Sequence, residues 1–335
     1  MKKYITNIYA FPGTAQQAQN MVTQIACDSL GFQELGTYHY VWADEPTNVL
    51  FGRVDGIVAS LQHGDIVVMQ YPTWEYDRFT NTLIREIKSY GAHLFFFIQD
   101  LRSQMSIEAA SFLPTEINTL NQAEVVITHS DAMSAFLKQN GLTAKTISLH
   151  MMDHPVTFDL GPRPKYRPVI TYAGITDDTK AAAFIQNWDN QQVKLRIYCN
   201  GQKPANANYL YAPWQNSDAK LLYDLRENAG FGLVWASDPT WQNYMQMNAT
   251  FKLSTYLAAG IPVIANKDIT QHRIIEEKHL GILVDSLAEA QQKVAALGPA
   301  EYDQMVDSIA KFSTLIRNGE FTKRALTEAI FNYYY

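Results

Sequence analysis

The segment Asn248-Ala-Thr250-Phe-Lys252-Leu-Ser-Thr-Tyr256-Leu-Ala-Ala-Gly260-Ile-Pro262-Val-Ile-Ala265 has a polar start, an apolar middle and a glycine stop. Its pattern predicts a helix ended by Gly260 and a buried strand opened by Pro262. Asn248 and Thr250 then stand where the helix begins. The first amides of a helix lack intrahelical acceptors and lie at the positive end of its dipole, so that start suits an anion. Lys252, in the first turn, adds a full charge suited to a diphosphate. An ordinary capped helix with a solvated lysine has the same spacing, and both readings stand at this level.

Other polar groups cluster at predicted strand ends. Gly174 ends one strand, and a glycine there lets the backbone approach a phosphate closely, with Thr176, Thr179 and Lys180 within reach of the same ligand. Pro12-Gly13-Thr14 is the equivalent turn after the first strand. A plain strand-to-helix turn explains either loop equally well. Asp100 and Arg102 follow the apolar run Leu94–Ile98, at the carboxyl end of a central strand where ligand-facing groups belong; a structural ion pair between them is the competing reading. His129 ends another strand. His150, Asp153 and His154 cluster in sequence but lack a third ligand at fixed spacing, so no metal site is expected. Tyr71, Trp74, Tyr76, Trp214, Trp235 and Trp241 offer aromatic faces for a sugar or a base, the first three most plausibly because they follow a strand end.

The elements that must position these groups alternate short apolar runs with longer amphipathic ones, the signature of βα units with parallel strands. In the first half, Tyr4–Ala10, Asp65–Gln70, His93–Ile98, Val125–Thr128 and Lys145–Ser148 read as strands, and Ala15–Leu30, Tyr76–Tyr90 and Asp131–Asn140 as helices. Gly161-Pro-Arg-Pro-Lys-Tyr-Arg-Pro168 is the best linker, because three prolines in eight residues suit neither a helix nor a central strand. A second series follows, with strands at Val169–Ala173, Lys194–Cys199, Phe231–Trp235, Pro262–Ala265 and Gly281–Val284. Its helices are Thr179–Trp188, Asp218–Glu227, Thr250–Ala259, Ile269–Glu277 and Leu287–Ala296, and the stretch from about Ala300 to Tyr335 is helical throughout. The expected organisation is a Rossmann-like domain over 1–160, a linker over 161–168, a second Rossmann-like domain over 169–316, and a helix over 317–335 packing back on the first domain. Two such domains facing each other would form a ligand cleft at the carboxyl ends of their strands.

Composition narrows the function classes. A chain of 335 residues, 47% hydrophobic and 18% charged, can bury two cores. The net charge of −6 argues against nucleic acid, which demands a basic surface. Cys27 and Cys199, one in each half, are expected as buried free thiols of a reducing compartment. No apolar run approaches the length of a membrane span and the N-terminal run is too short for a secretory signal, so a cytoplasmic location is expected.

The run Lys252-Leu-Ser-Thr-Tyr-Leu-Ala-Ala-Gly-Ile-Pro-Val-Ile264 resembles the nucleotide-sugar segment of GT-B glycosyltransferases. More closely, it is similar to bacterial glucosyltransferases that extend the first sugar on serine-rich repeat adhesins, a family also called nucleotide-sugar synthetase-like or galactofuranosyltransferase-like. Tyr172-Ala-Gly174, Phe231-Gly-Leu-Val-Trp235 with Asp238, and Phe97-Ile-Gln-Asp100-Leu-Arg102 match in the same order, and the resemblance spans nearly the whole chain. It implies an α/β fold of GT-B type, with two facing Rossmann-like domains of parallel sheets. It implies a UDP-sugar-dependent hexosyltransferase moving glucose or N-acetylglucosamine to a GlcNAc-modified serine-rich protein, with no required cofactor or metal. It implies a homo-oligomer, dimer or tetramer. The donor candidates are Gly13, Thr14, Gly174, Thr176, Lys180, Tyr211, Asn248, Thr250 and Lys252. Asp100, with Arg102 beside it, is the first candidate for the base that takes the acceptor's proton, and His129 the second. The Gly174 and Thr250 loops depart from the family pattern, which keeps a non-catalytic sugar-binding or scaffold subunit as the alternative. An epimerase or dehydrogenase is disfavoured because Gly13 stands without a G-x-G-x-x-G.

Overall fold

A computed structural model of the chain describes residues 1–176, 182–188, 192–200, 209–213, 215, 217–228 and 230–335. They form two compact units, one of Met1–His150 with Gly319–Tyr335 and the other of Met151–Asn318.

In the first unit the strands are β1 (Lys3–Tyr9), β2 (Gln33–Tyr38), β3 (Ile66–Tyr71), β4 (His93–Ile98), β5 (Val125–Thr128) and β6 (Lys145–Ser148). The helices are α1 (Thr14–Leu30), α2 (Thr47–Val58), α3 (Asp77–Ser89), α4 (Leu113–Leu120) and α5 (Asp131–Gln139). The sheet is parallel, in the order β2-β1-β3-β4-β5-β6. Helices cover its faces, so the central strands carry continuous apolar runs: all of β3 is buried, and so is β4 after His93.

The second unit holds β7 (Val169–Ile175), α6 (Ala182–Gln186), β8 (Lys194–Asn200), β9 (Leu210–Pro213), α7 (Asp218–Asn228), β10 (Phe231–Val234), α8 (Pro239–Met245) and α9 (Phe251–Ala259). After them come β11 (Val263–Asn266), α10 (His272–Glu277), β12 (Gly281–Val284), α11 (Leu287–Ala296) and α12 (Pro299–Arg317). This sheet is also parallel, ordered β12-β11-β10-β7-β8-β9. The last helix, α13 (Glu320–Tyr334), belongs to the first unit, where it lies on α1, β5 and β6.

Each sheet has one point where the strand order reverses, between β1 and β3 in the first unit and between β7 and β10 in the second. Strand-end loops diverge there and leave a crevice. The β7–β10 ladder stops at the Thr171–Gly232 pair, while β7 stays paired with β8 as far as Ile175. The Ala173 amide on the β10 side therefore needs another acceptor, and the buried hydroxyl of Tyr256 supplies it at 2.9 Å.

Several elements escape the apolar pattern. β2 and β9 are edge strands with one neighbour each, and their exposed faces carry residues such as Gln33, Glu34 and Tyr211. The strand signal is weak wherever only one face is covered. α2 and α4 are short helices also missed by the pattern. The expected single helical stretch at the end is broken at Gly319, which takes a left-handed φ of 74° where its absent side chain would collide with Ile25. The proline stretch 161–168 is held within the second unit: Tyr166 packs edge-on to Tyr302 and its hydroxyl donates to the Val294 carbonyl at 3.2 Å. Cys27 is partly exposed, whereas Cys199 is buried as expected. Among the described residues no helix is long and apolar enough to cross a membrane.

A Cβ added to Gly232 would lie 2.2 Å from the Tyr256 ring. Gly232→Ala is therefore expected to destabilise the protein by about 1–3 kcal/mol through overpacking. Tyr256→Phe, which leaves the Ala173 amide buried without its acceptor, should cost about 1–3 kcal/mol. Urea unfolding of the full chain checks both.

Candidate functional site

In the second unit the site is assembled around α9. Tyr256 is wedged between β7 and β10 and fixes the helix over the crevice. Lys252 stands one turn earlier, and residues four apart share a helix face. Its half-buried ammonium consequently reaches the end of β7, 5.4 Å from the centroid of the Tyr172 ring. A Cβ at Gly174 would approach Lys252 Cε to 2.8 Å and Nζ to 3.2 Å. Gly174 and Lys252, 78 residues apart in sequence, are thus neighbours because position 174 has no side chain. The Tyr172 hydroxyl donates to the Ile175 carbonyl at 3.1 Å and stiffens the same loop.

The opposite side of α9 is also secured. Ser254 Oγ donates to the Met152 carbonyl at 2.6 Å. The buried His154 ring stacks on Phe251 at 5.1 Å, with Nε2 3.0 Å from Asp218 Oδ2 and Nδ1 3.3 Å from Thr255 Oγ1. His154 therefore serves packing. His150 belongs to the other unit, and no group of three or more potential metal ligands occurs among the described residues.

The two ends of α9 differ in charge. At its C-terminus Arg226 Nη1 donates to the Ala259 carbonyl at 3.0 Å and Arg317 Nε to the Ala258 carbonyl at 2.9 Å. Burial and the neighbouring Arg226 bring the Arg317 guanidinium down to about 10, so it stays charged at neutral pH. At the N-terminus Thr250 makes no side-chain cap bond and the first turn holds no acidic residue. The negative end of the dipole is neutralised by the protein, and the positive end is reinforced by Lys252. Asn248, nearly buried beside this start, has an Oδ1 with no hydrogen-bond partner among the described residues.

The remaining donor candidates are less concentrated. Thr176 Oγ1 lies 3.0 Å from Cys199 Sγ. Lys180, with Thr179 and Trp214, lies outside the described residues. Tyr211, on the edge strand β9, is in register with Ile197, which is itself paired with Tyr172; that puts it two strands from Tyr172, about 10 Å away. Gly13 and Thr14 belong to the first unit, where Gly13 takes φ 85° immediately before α1 and open space surrounds its missing Cβ.

In that first unit, Asp100 and Arg102 both follow β4 but engage different partners. Arg102 Nη1 bonds Asp77 Oδ1 at 2.6 Å and its guanidinium lies over the Phe112 ring. Asp100 is half-buried, and its amide points at the Tyr71 carbonyl at 3.4 Å. The loop itself is braced by Glu116, a fully buried carboxylate that accepts from the Arg102 and Ser103 amides, the Ser103 hydroxyl and the Tyr71 hydroxyl. Tyr71 is thereby a structural residue, and Trp74 stacks on Phe11 at 5.2 Å. Tyr76 keeps an exposed face. In the second unit, Trp235 packs against the core and Trp241 tilts onto Tyr244. His129 is almost wholly buried, and burial depresses its imidazole to about 4, so the ring is neutral.

Sequence reasoning missed Tyr256, Arg226, Arg317 and Glu116. Tyr256 alone had a visible signal, its four-residue spacing from Lys252.

Residues 2–151 match the family described as the glucosyltransferase 3-like N-terminal domain, and residues 170–329 match the corresponding C-terminal domain. The chain is 35% identical over 337 residues to glucosyltransferase 3 of Streptococcus parasanguinis, covering 99% of this chain and 98% of the relative. It is 36% identical over 340 residues to glucosyltransferase 3 of Streptococcus gordonii, covering 98% of each. Among solved structures, Anabaena HepE in complex with UDP-glucose superposes with a TM-score of 0.68 at 12% identity, over 98% of this chain and 99% of that one. That likeness is one of fold, and the fold is of GT-B type.

Gly174→Ala should push the Lys252 ammonium aside and weaken UDP binding roughly tenfold by calorimetry. Because the effect runs through Lys252, the Gly174→Ala/Lys252→Ala double variant should bind no more weakly than Lys252→Ala. His129 gives a pH dependence. Its folded value lies below the unfolded value of about 6.5, so the unfolded chain binds the extra proton between the two. Stability is complete above about pH 6.5 and falls on acidification toward about 4, by up to roughly 3 kcal/mol. Unfolding curves across that window should show the slope, and His129→Gln should flatten it.

Proposed function

We propose that glucose is the sugar transferred by this chain, which belongs to the glucosyltransferase 3-like family and is a UDP-sugar-dependent hexosyltransferase. Its acceptor is a GlcNAc-modified serine-rich protein. The observation that carries the donor assignment is the ammonium of Lys252 held beside Gly174 at the strand-order reversal of the second unit.

A nucleotide diphosphate brings two demands, charge compensation and close approach of the backbone. Lys252 and the uncapped start of α9 meet the first. Gly174, without a Cβ, meets the second. Donors of this kind stabilise the departing UDP in proportion to the charge that develops on it, so the same groups serve binding and turnover. Thr250 and Asn248 flank the phosphate position in this reading. The donor named with HepE, UDP-glucose, agrees with it, as do the names of the two streptococcal relatives.

Calorimetry with UDP, followed by a panel of UDP-sugars against a GlcNAc-bearing serine-rich peptide, tests the proposal. Lys252→Ala is expected to lower UDP affinity by about 10- to 100-fold, the loss of one charge-assisted contact, and to lower turnover with it. Normal UDP affinity in that variant would remove the site. Intact UDP binding with no transfer from any donor would leave a sugar-binding subunit instead.

A further inference from the structure

The last strand of the first sheet has an open edge. β6 has one neighbour, β5, and pairs with it from Lys145 opposite Val125 to Ser148 opposite Thr128. The Lys145 amide donates to the Glu124 carbonyl at 3.3 Å and the Leu149 amide to the Thr128 carbonyl at 2.8 Å. The backbone groups of successive residues in a strand point to opposite sides, so Lys145, Ile147 and Leu149 serve the ladder. Thr146 and Ser148 therefore turn their N–H and C=O groups away from β5. The Ser148 carbonyl accepts from Arg324 Nη2 at 2.7 Å. The Thr146 N–H, the Thr146 carbonyl and the Ser148 N–H have no partner among the described residues. Edges of this kind are usually guarded by a charged side chain. Lys145 is drawn away instead, donating to the Asn332 carbonyl of α13 at 2.7 Å.

This edge lines a cavity of about 430 Å³ that the donor site does not use. One wall is the α5 face that carries Asp131, Ser134 and Lys138, at helical spacing; the other is Arg324 and Glu328 of α13. The side chains of Thr146 and Ser148 lie on one face of β6 and that of Ile147 on the other, yet all three line the space. A cavity that touches both faces is centred on the edge itself, where an added strand would lie about 4.8 Å from β6. His150, at φ 70°, turns the chain out of the sheet beyond Leu149 and ends the edge there. Several groups in the groove satisfy one another. Glu328 Oε2 accepts from Arg324 Nη1 at 2.8 Å, Asp131 accepts from the Ser148 hydroxyl, and Ser134 shares a hydrogen bond with Thr128 at 2.7 Å. Lys138 is exposed and has no carboxylate partner among the described residues. The groove thus offers an incoming chain main-chain donors, a main-chain acceptor and a positive charge.

We propose that the groove at β6 binds the polypeptide of the serine-rich acceptor, as an extended segment that adds a strand to the first sheet, with Lys138 meeting an acidic residue of that segment. The inference rests on the acceptor reading above, and every group it uses lies in the first unit. A serine-rich chain has little apolar surface to bury, so it stays extended with its backbone groups unpaired. Pairing along a sheet edge recognises such a chain whatever sugars it carries, because the hydrogen bonds come from groups that every residue has. Alternate side chains of the added strand point to opposite faces, which leaves a glycosylated serine free to face outward.

The test measures binding of a GlcNAc-bearing serine-rich peptide with one aspartate, by fluorescence anisotropy, and amide hydrogen exchange of the full chain with and without it. Saturating peptide should slow exchange of the Thr146 and Ser148 amides by about tenfold or more. N-methylation of single peptide residues should alternate in effect, with about a tenfold loss where the N–H faces β6 and little change at the next residue. Thr146→Pro, which deletes an outward N–H and spares the ladder, should weaken binding to the same degree. Lys138→Glu should weaken it several-fold, and a peptide with lysine in place of the aspartate should recover the loss. UDP affinity, measured by calorimetry in the same proteins, should not change. If Thr146→Pro fails to fold, the N-methyl series on the native chain decides. Peptide binding without protection of these two amides, or equal losses at successive N-methyl positions, overturns the docking assignment while normal UDP binding and transfer leave the transferase reading standing. Protection that follows protein concentration and not peptide gives the edge to a second copy of the chain and overturns the assignment as well. A chain that neither binds UDP nor transfers glucose to this peptide overturns the reading on which the proposal rests, and the proposal with it.

Discussion

The hydrogen bond from the Ala173 amide to the Tyr256 hydroxyl is the contact on which the second unit's site depends. It exists because the parallel ladder ends early. Once β7 and β10 part beyond Thr171–Gly232, a buried backbone donor has lost its strand partner, and an unpaired donor in that position would be costly. The Tyr256 hydroxyl fills the gap, and the ring occupies the space that Gly232 leaves. A helix anchored in this way has little freedom to rotate. Its other residues are consequently placed by its pitch, and the ammonium one turn before Tyr256 must fall over the end of β7.

The polarity of α9 follows from the same anchoring. Arg226 and Arg317 hold the carbonyls at one end, and the glycine at 260 makes room for the first of them, since a Cβ there would lie 2.3 Å from Arg226 Nη1. The other end has neither a side-chain cap nor an acidic residue. Most helices neutralise both ends from their own sequence or from solvent. Here the imbalance concentrates positive potential beside Gly174. The buried Oδ1 of Asn248, without a hydrogen-bond partner among the described residues, adds an acceptor near the same place, where a ligand hydroxyl or amide would satisfy it. That combination is the one the proposed donor site needs, since a nucleotide sugar is a polar anion with donors of its own.

The first unit uses its strand reversal differently. Buried carboxylates brace its loops: Glu116 holds the loop after β4, Glu75 holds the His39 ring, and Glu45 holds Arg53. Burying three carboxylates is costly unless each receives donors, and each does.

The alternating pattern was enough to call a parallel α/β chain in two series, because strands covered on both faces must be apolar throughout. His93–Ile98 and Val125–Thr128 were legible to the residue for that reason. The run from Lys252 to Gly260 also announced its helix and its stop. Edge strands β2 and β9 were not legible, since a strand covered on one side can carry Glu34 or Tyr211 outward. Nor was the break at Gly319 visible, since it answers to Ile25, a residue almost 300 positions away. The same holds for the site. Sequence alone determined which residues could bear charge and which turns could take a phosphate, because those are properties of residue type and local spacing. Only the tertiary structure decided that Lys252 meets Gly174, that Arg102 pairs with Asp77, and that Glu75 stands behind His39. Each of those pairings joins separate strand ends, and which strand ends become neighbours is set by the order of strands in the sheet.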